Sequence, residues 1–196
     1  MGEIKSAREI ALEKIAKLGE PSDEERLKWK YVPEGEKLAA RYIKVGCNLV
    51  DELSQYEEKV KQYVIAGAGE ILIRNIDLPK SDLAQRNNKK AMEGLKAIKN
   101  NKVDVENVFS KLRRLFTHYM EQGEQQRKQA YESLKNGFDA KIQQAIQQQL
   151  GLPARIRVDV ERQPQFQEEW RKVQAQLDSQ YLKLLDEYKQ ELLNID

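Results

Sequence analysis

The sequence predicts an all-α protein, an elongated antiparallel bundle or coiled-coil hairpin of long helices. Three observations carry this reading. Of 196 residues, 34 are Lys or Arg, 32 are Asp or Glu, and only 40% are hydrophobic. About 25% charged is usual for a compact globule, whereas helices that each bury one stripe need less apolar material. Apolar residues recur every three or four positions over long stretches, the period of a helix with one apolar face. The connectors between those stretches are short, so neighbouring helices should fold back on one another. A minor two-stranded ribbon pairing 70–76 with 155–161 is the alternative to helix continuation through 70–75. Short N-terminal helices would occupy 1–32 and the long-helix bundle 33–196, within a single domain overall.

Ser6 and Glu9 form a capping box that opens a helix over 6–18, with Ile10, Ala11, Ile15 and Leu18 on its apolar side. Gly19 and Pro21 end it. The opening residues also match the loose N-myristoylation pattern, for which the capping box is the simpler account. A second capping box, Ser22 to Glu25, starts a short helix carrying Leu27 and Trp29, interrupted at Pro33. Leu38, Tyr42, Val45, Leu49, Leu53, Tyr56, Val60 and Val64 are spaced 4, 3, 4, 4, 3, 4 and 4. They predict one long helix from Glu34 to at least Ala66. Gly67-Ala68-Gly69 lets helices approach closely; it lacks the third glycine and the lysine of a phosphate-cradling turn. The stretch 70–76 is read as continuing the helix to about Asn75, with a short buried strand as the alternative, and Asp77-Leu78-Pro79 stops it in both cases.

Ser81 or Asp82 caps the next helix, whose apolar positions are Ala84, Ala91, Met92, Leu95 and Ile98. Asn100-Asn101-Lys102 breaks it. A long helix over 104–149 follows, with Gly123 and Gly137 as points where it could bend or split. Ile156, Val158 and Val160 then alternate with charged residues, the period of a half-buried strand. A lone strand leaves backbone groups unpaired, and 70–76 would supply its partner. The last helix carries Phe166, Trp170, Val173, Leu177, Tyr181, Leu184, Tyr188 and Leu192, spaced 4, 3, 4, 4, 3, 4 and 4.

Charge and composition narrow the function. The net charge is +2, and the halves match: 18 basic and 17 acidic residues up to residue 98, 16 and 15 beyond it. No global steering toward nucleic acid or membrane follows. The single Cys47 reads as a small buried hydrophobe in a reducing cytoplasm. The longest apolar-or-glycine run, 64–69, is far shorter than the ~20 residues of a membrane span, and no signal peptide opens the chain. A cytoplasmic protein without membrane association is expected. No catalytic, cofactor or metal residues are expected either. The only histidine, His118, stands 71 residues from Cys47, and Leu115 occupies the place of the glutamate in a Glu-x-x-His pair.

The most informative charge feature is 80–114, where ten basic side chains face four acidic ones. Arg86, Lys89, Lys90, Lys96, Lys99, Arg113 and Arg114 are the candidate contacts for phosphates or an acidic partner. A solvated surface balanced by acidic neighbours is the competing account. Glutamine is concentrated late, 15 of 19 lying between Gln122 and Gln180, an uncharged face able to hydrogen-bond across a protein contact.

The opening Gly2-Glu3-Ile4-Lys5-Ser6-Ala7-Arg8-Glu9-Ile10-Ala11-Leu12-Glu13-Lys14 resembles the start of a group of small bacterial helical proteins without assigned activity. The resemblance implies a bacterial cytoplasmic protein and assigns no site. The functional expectation is a non-enzymatic interaction or scaffold protein that binds other proteins and forms homo-oligomers. The alternative is a nucleic-acid-associated protein using the 80–114 surface.

Overall fold

The computed structural model describes residues 21–150 and 159–196, which contain helices and turns and no strand. The fold is all-α, as the periodicity predicts. The expected helix over 6–18 and most of the expected strand over 155–161 lie outside the described residues. The chain divides into two compact units, one up to Leu72 and one from Ile73.

In the first unit, α1 (Asp23–Lys44) opens on the expected capping box. The Glu25 amide donates to the Ser22 hydroxyl at 3.2 Å, and the Ser22 amide donates to the Glu25 carboxylate at 2.8 Å. Pro33 does not interrupt this helix but lies inside it. Its ring removes one backbone hydrogen bond, at about 3 kcal/mol in a helix interior, and packing just beyond it opposes that cost. Gly35, Leu38 and Ala39 are all buried, and α1 meets α3 (Glu58–Arg74) backbone to backbone. A Cβ on Gly35 would stand 1.9 Å from the Val64 carbonyl oxygen, and one on Gly67 2.1 Å from that of Val32. Gly67 therefore serves helix packing, as its sequence context suggests.

The single helix expected from Glu34 to Ala66 is divided into three pieces. Gly46 adopts a positive φ of 88°, and its amide donates to the carbonyls of Arg41 and Tyr42 at 3.3 and 3.1 Å. This left-handed cap ends α1. The Asn48 side chain then accepts from the Val50 amide at 3.1 Å and opens α2 (Leu49–Ser54). A second break, at 55–57, precedes α3. The apolar positions keep their roles across both breaks, with Leu38, Leu49, Leu53, Val60 and Val64 buried. Val45, beside the cap, is 75% exposed. The spacing recorded which side chains need burial, and the turns decided where the helix stops.

The helix continues to Arg74 as expected, so 70–76 does not form the alternative ribbon. Residues through Arg74 spend their backbone bonds within α3, and Val160–Arg162 makes a 3₁₀ turn. In the second unit Ile76 and Leu78 are buried in the connector after α3. Buried Asn88 fastens that connector: its side-chain amide donates to the Asp77 carbonyl at 2.7 Å and its oxygen accepts from the Asp77 amide at 2.8 Å.

Ser81 caps α4 (Asp82–Ile98), which packs on α5 (Lys102–Leu150). The 49 residues of α5 pass Gly123 and Gly137 without a break and would span about 73 Å at the helical rise. Pro164 opens α6 (Pro164–Leu193) at a position that needs no amide donor. The pairs Lys111–Glu191, His118–Tyr181, Tyr131–Trp170 and Phe138–Phe166 run in opposite directions along α5 and α6. The two helices are the expected antiparallel hairpin. Val105, Phe109, Leu112, Leu185 and Leu192 are among its buried side chains, each worth about 1.5–3 kcal/mol of apolar transfer. Of the two tryptophans, Trp29 on α1 is 68% exposed, whereas Trp170 is half-buried with its ring edge-to-face on Tyr131 at 5.1 Å. Among the described residues no helix is long and apolar enough to cross a membrane.

Candidate functional site

The basic residues singled out from the sequence all fall on α4, α5 and the turn between them, but most are engaged by the chain itself. Lys96 and Arg113 both reach Glu106, at 3.1 and 2.5 Å. Those two cations, Arg113 foremost, hold the Glu106 carboxyl below the usual carboxylate range. Lys99 donates to the Ile195 carbonyl, and burial pushes its ammonium pKa down against the pull of Asp196. Arg86 donates to the Asp82 carbonyl at 3.3 Å. Nearby Lys102 donates to the carbonyls of Lys96, Ala97 and Lys99, and so closes the C-terminal end of α4. Lys90 is half-buried on the same helix. Lys89 and Arg114 stay exposed with no ion-pair partner among the described residues.

Two grooves flank these residues. One, of about 520 Å³, runs between α4 and α5 over Met92, Phe109, Phe116 and Met120, with Lys89, Lys96, Glu93, Glu106 and Arg113 along its rim. The other, of about 840 Å³, runs between α5 and α6 over Leu115, Val173, Leu177, Leu184 and Tyr188. Lys111 and Arg114 mark one end of it and Gln126 and Gln176 the other, and no carboxylate among the described residues lines it.

The second groove exists because the predicted seam of α6 is split. Phe166, Tyr181 and Leu192 are buried, but Leu185 takes the inward place expected for Leu184, which is 39% exposed. Four residues on from Tyr181 is the inward position on a 3.6-residue helix. Val173, Leu177 and Tyr188 are only half-buried.

A polar cluster that sequence reasoning missed lies deeper in the same hairpin. Asp178 is 7% exposed. It accepts the Lys80 ammonium at 2.7 Å, and its Oδ1 faces the Arg127 guanidinium at 3.8 Å. Among the described residues that Oδ1 accepts no hydrogen bond. Arg127 also stacks over the Tyr119 ring at 4.3 Å. Burial, reinforced by the Asp178 charge, pushes the Tyr119 phenol up to about 12, so it remains a neutral donor at ordinary pH. Tyr181 stands edge-to-face with Tyr119 at 5.1 Å. Its hydroxyl lies 3.0 Å from His118 Nδ1 and donates to that nitrogen when it is unprotonated. Gly123 makes room, since a Cβ there would lie 3.2 Å from the Tyr181 hydroxyl and 3.1 Å from Arg127. The available signal was Asp178 itself, a charge three residues before Tyr181 on the inward face of α6. Among the described residues no group of three or more His, Cys, Asp or Glu side chains is placed to hold a metal ion.

No curated protein and no solved structure matches the chain. One family model does match, over residues 50–194. That interval takes in part of α2, all of α3 to α6, and both grooves. It does not include the opening residues whose resemblance suggested a helical protein without assigned activity. With most of its length matched, the chain belongs to the family of unknown function DUF6657.

Proposed function

We propose that the chain is a non-enzymatic helical interaction protein that pairs with a second copy of itself through the α5/α6 groove. The observation that carries this reading is the uncovered half of the α6 seam. Val173, Leu177, Leu184 and Tyr188 follow the helical period yet are not completely covered by the described residues. Apolar side chains arrayed this way gain by association. The ends of the groove favour a copy of this same chain as the partner. A two-fold axis near His118 and Tyr181 would set the Lys111 and Arg114 end of one copy against the Gln126 and Gln176 end of the other. Arginine then donates to glutamine carbonyls and no like charges face each other. The reading also places the protein in the cytoplasm, where Cys47 stays a thiol.

The nucleic-acid alternative draws on charge that is largely spent. Lys80, Lys99, Lys102 and Lys111 are each held by the chain's own acceptors, and Lys96 and Arg113 share the carboxylate of Glu106.

Light scattering on the purified chain tests the pairing. Wild type should show twice the chain mass, and Leu177→Glu combined with Leu184→Glu should show the single-chain mass with its helical circular dichroism intact. A wild-type monomer at tens of micromolar, or a variant that still pairs, overturns the proposal.

A further inference from the structure

We propose that the α4/α5 groove is a docking site for an acidic amphipathic helix of another protein. This goes beyond the self-pairing reading, because it uses a different groove and different residues. Its walls are two antiparallel helix faces. Gln85, Lys89, Met92 and Lys96 follow one another at intervals of 4, 3 and 4 along α4, and Glu106, Phe109, Arg113, Phe116 and Met120 at 3, 4, 3 and 4 along α5. At the helical rise these faces extend about 16 and 21 Å, or three to four turns. A third helix of that length seats in such a trough with apolar anchors at i, i+3 or i+4, and i+7.

The floor asks for those anchors. Phe109 and Phe116 close its base, while Met92 is half-buried and Met120 is 38% exposed. Unbranched methionine reshapes to an incoming side chain at little cost. The rim asks for carboxylates. Lys96 and Arg113 share the one carboxylate of Glu106, and Lys89 has no ion-pair partner among the described residues. One further acid, Glu93, lines the rim. Three rim cations thus stand against two carboxylates, and an acidic side chain flanking the apolar anchors would pair with Lys89 and give the docked helix its orientation. A phosphate backbone would meet the same cations but leave the Met and Phe floor unfilled, so a protein helix fits the groove better than duplex DNA.

Fluorescence anisotropy with the full chain tests this. The first probe is a dye-labelled helix of about fifteen residues, with leucines at i, i+3, i+7 and i+11 flanked by glutamates. The second replaces the glutamates by lysines, and the third is a labelled DNA duplex. The acidic helix should bind. Lys89→Glu and Met120→Glu, each with unchanged circular dichroism, should weaken it at least about tenfold. The lysine version should bind at least about tenfold more weakly than the acidic one. The Leu177→Glu, Leu184→Glu variant should bind as wild type does, which separates this site from self-pairing. Failure of the acidic helix to bind, or equal binding of both peptides, overturns the proposal. So does DNA binding that is lost in Lys89→Glu and kept in Met120→Glu.

Discussion

Gly67 shows how a single atom can reverse a propensity. Alanine is worth about 1 kcal/mol more than glycine inside a helix, and Gly137, with nothing within 4 Å of its missing Cβ, should follow that rule. Gly137→Ala is therefore expected to raise stability by up to about 1 kcal/mol. At Gly67 the added carbon would stand 2.1 Å from a backbone oxygen, which no rotamer change relieves. Gly67→Ala, and Gly35→Ala likewise, should cost about 1–3 kcal/mol of overpacking, read from denaturation followed by circular dichroism. Gly67 was legible because it sits in a small-residue run at the end of an apolar seam. Gly35 was not, since the oxygen it accommodates belongs to Val64, and no local pattern announces that meeting.

Tyr119 gives a residue-scale pH prediction. Its phenol is raised from 10.0 to about 12 in the fold, so the folded chain holds the proton more tightly than the unfolded one. The stability this represents is complete below pH 10 and is lost as pH rises through about 12. The denaturation midpoint of wild type should fall over that interval more steeply than that of Tyr119→Phe. Parallel curves for the two proteins would contradict the assignment. Asp178, Lys80 and Arg127 come from three separate segments, so their cluster is a product of tertiary packing.

At the scale of the elements, hydrophobic spacing was a good guide to burial and a poor guide to continuity. The seam from Leu38 to Val64 kept its period while Gly46 and Asn48 turned the chain between α1 and α2. Gly46 was the missed stop: its positive φ costs an L-residue roughly 1–2 kcal/mol. Gly46→Ala should therefore lower the stability of the first unit by about that amount, again measured by denaturation. Pro33 erred in the opposite direction, because one lost hydrogen bond does not end a helix whose next turn is buried. Gly123 and Gly137 do not break α5, which has α6 and the 3₁₀ turn packed along it. The stretch 70–76 met both helix and strand templates, and the helix prevails because a continuing helix satisfies its backbone without a partner.

For the whole molecule, the all-α class followed from composition and period, whereas the two units did not, because their division falls within the continuous run of α3. The two proposed grooves should respond differently to salt. Self-pairing through Leu177 and Leu184 rests on apolar burial and should survive about 1 M NaCl, where the Debye length shrinks to about 3 Å. Docking of an acidic helix on Lys89, Lys96 and Arg113 should weaken under the same conditions. Light scattering and anisotropy at low and high salt check both.

The two tryptophans fall one to each unit, which gives the chain a native pair of optical probes. Trp29, open to water, should emit far to the red and change little when the first unit melts. Trp170, shielded against Tyr131, should emit further to the blue and shift red when the second unit opens. Replacing Trp29 by phenylalanine would leave one emitter, whose colour follows the hairpin alone.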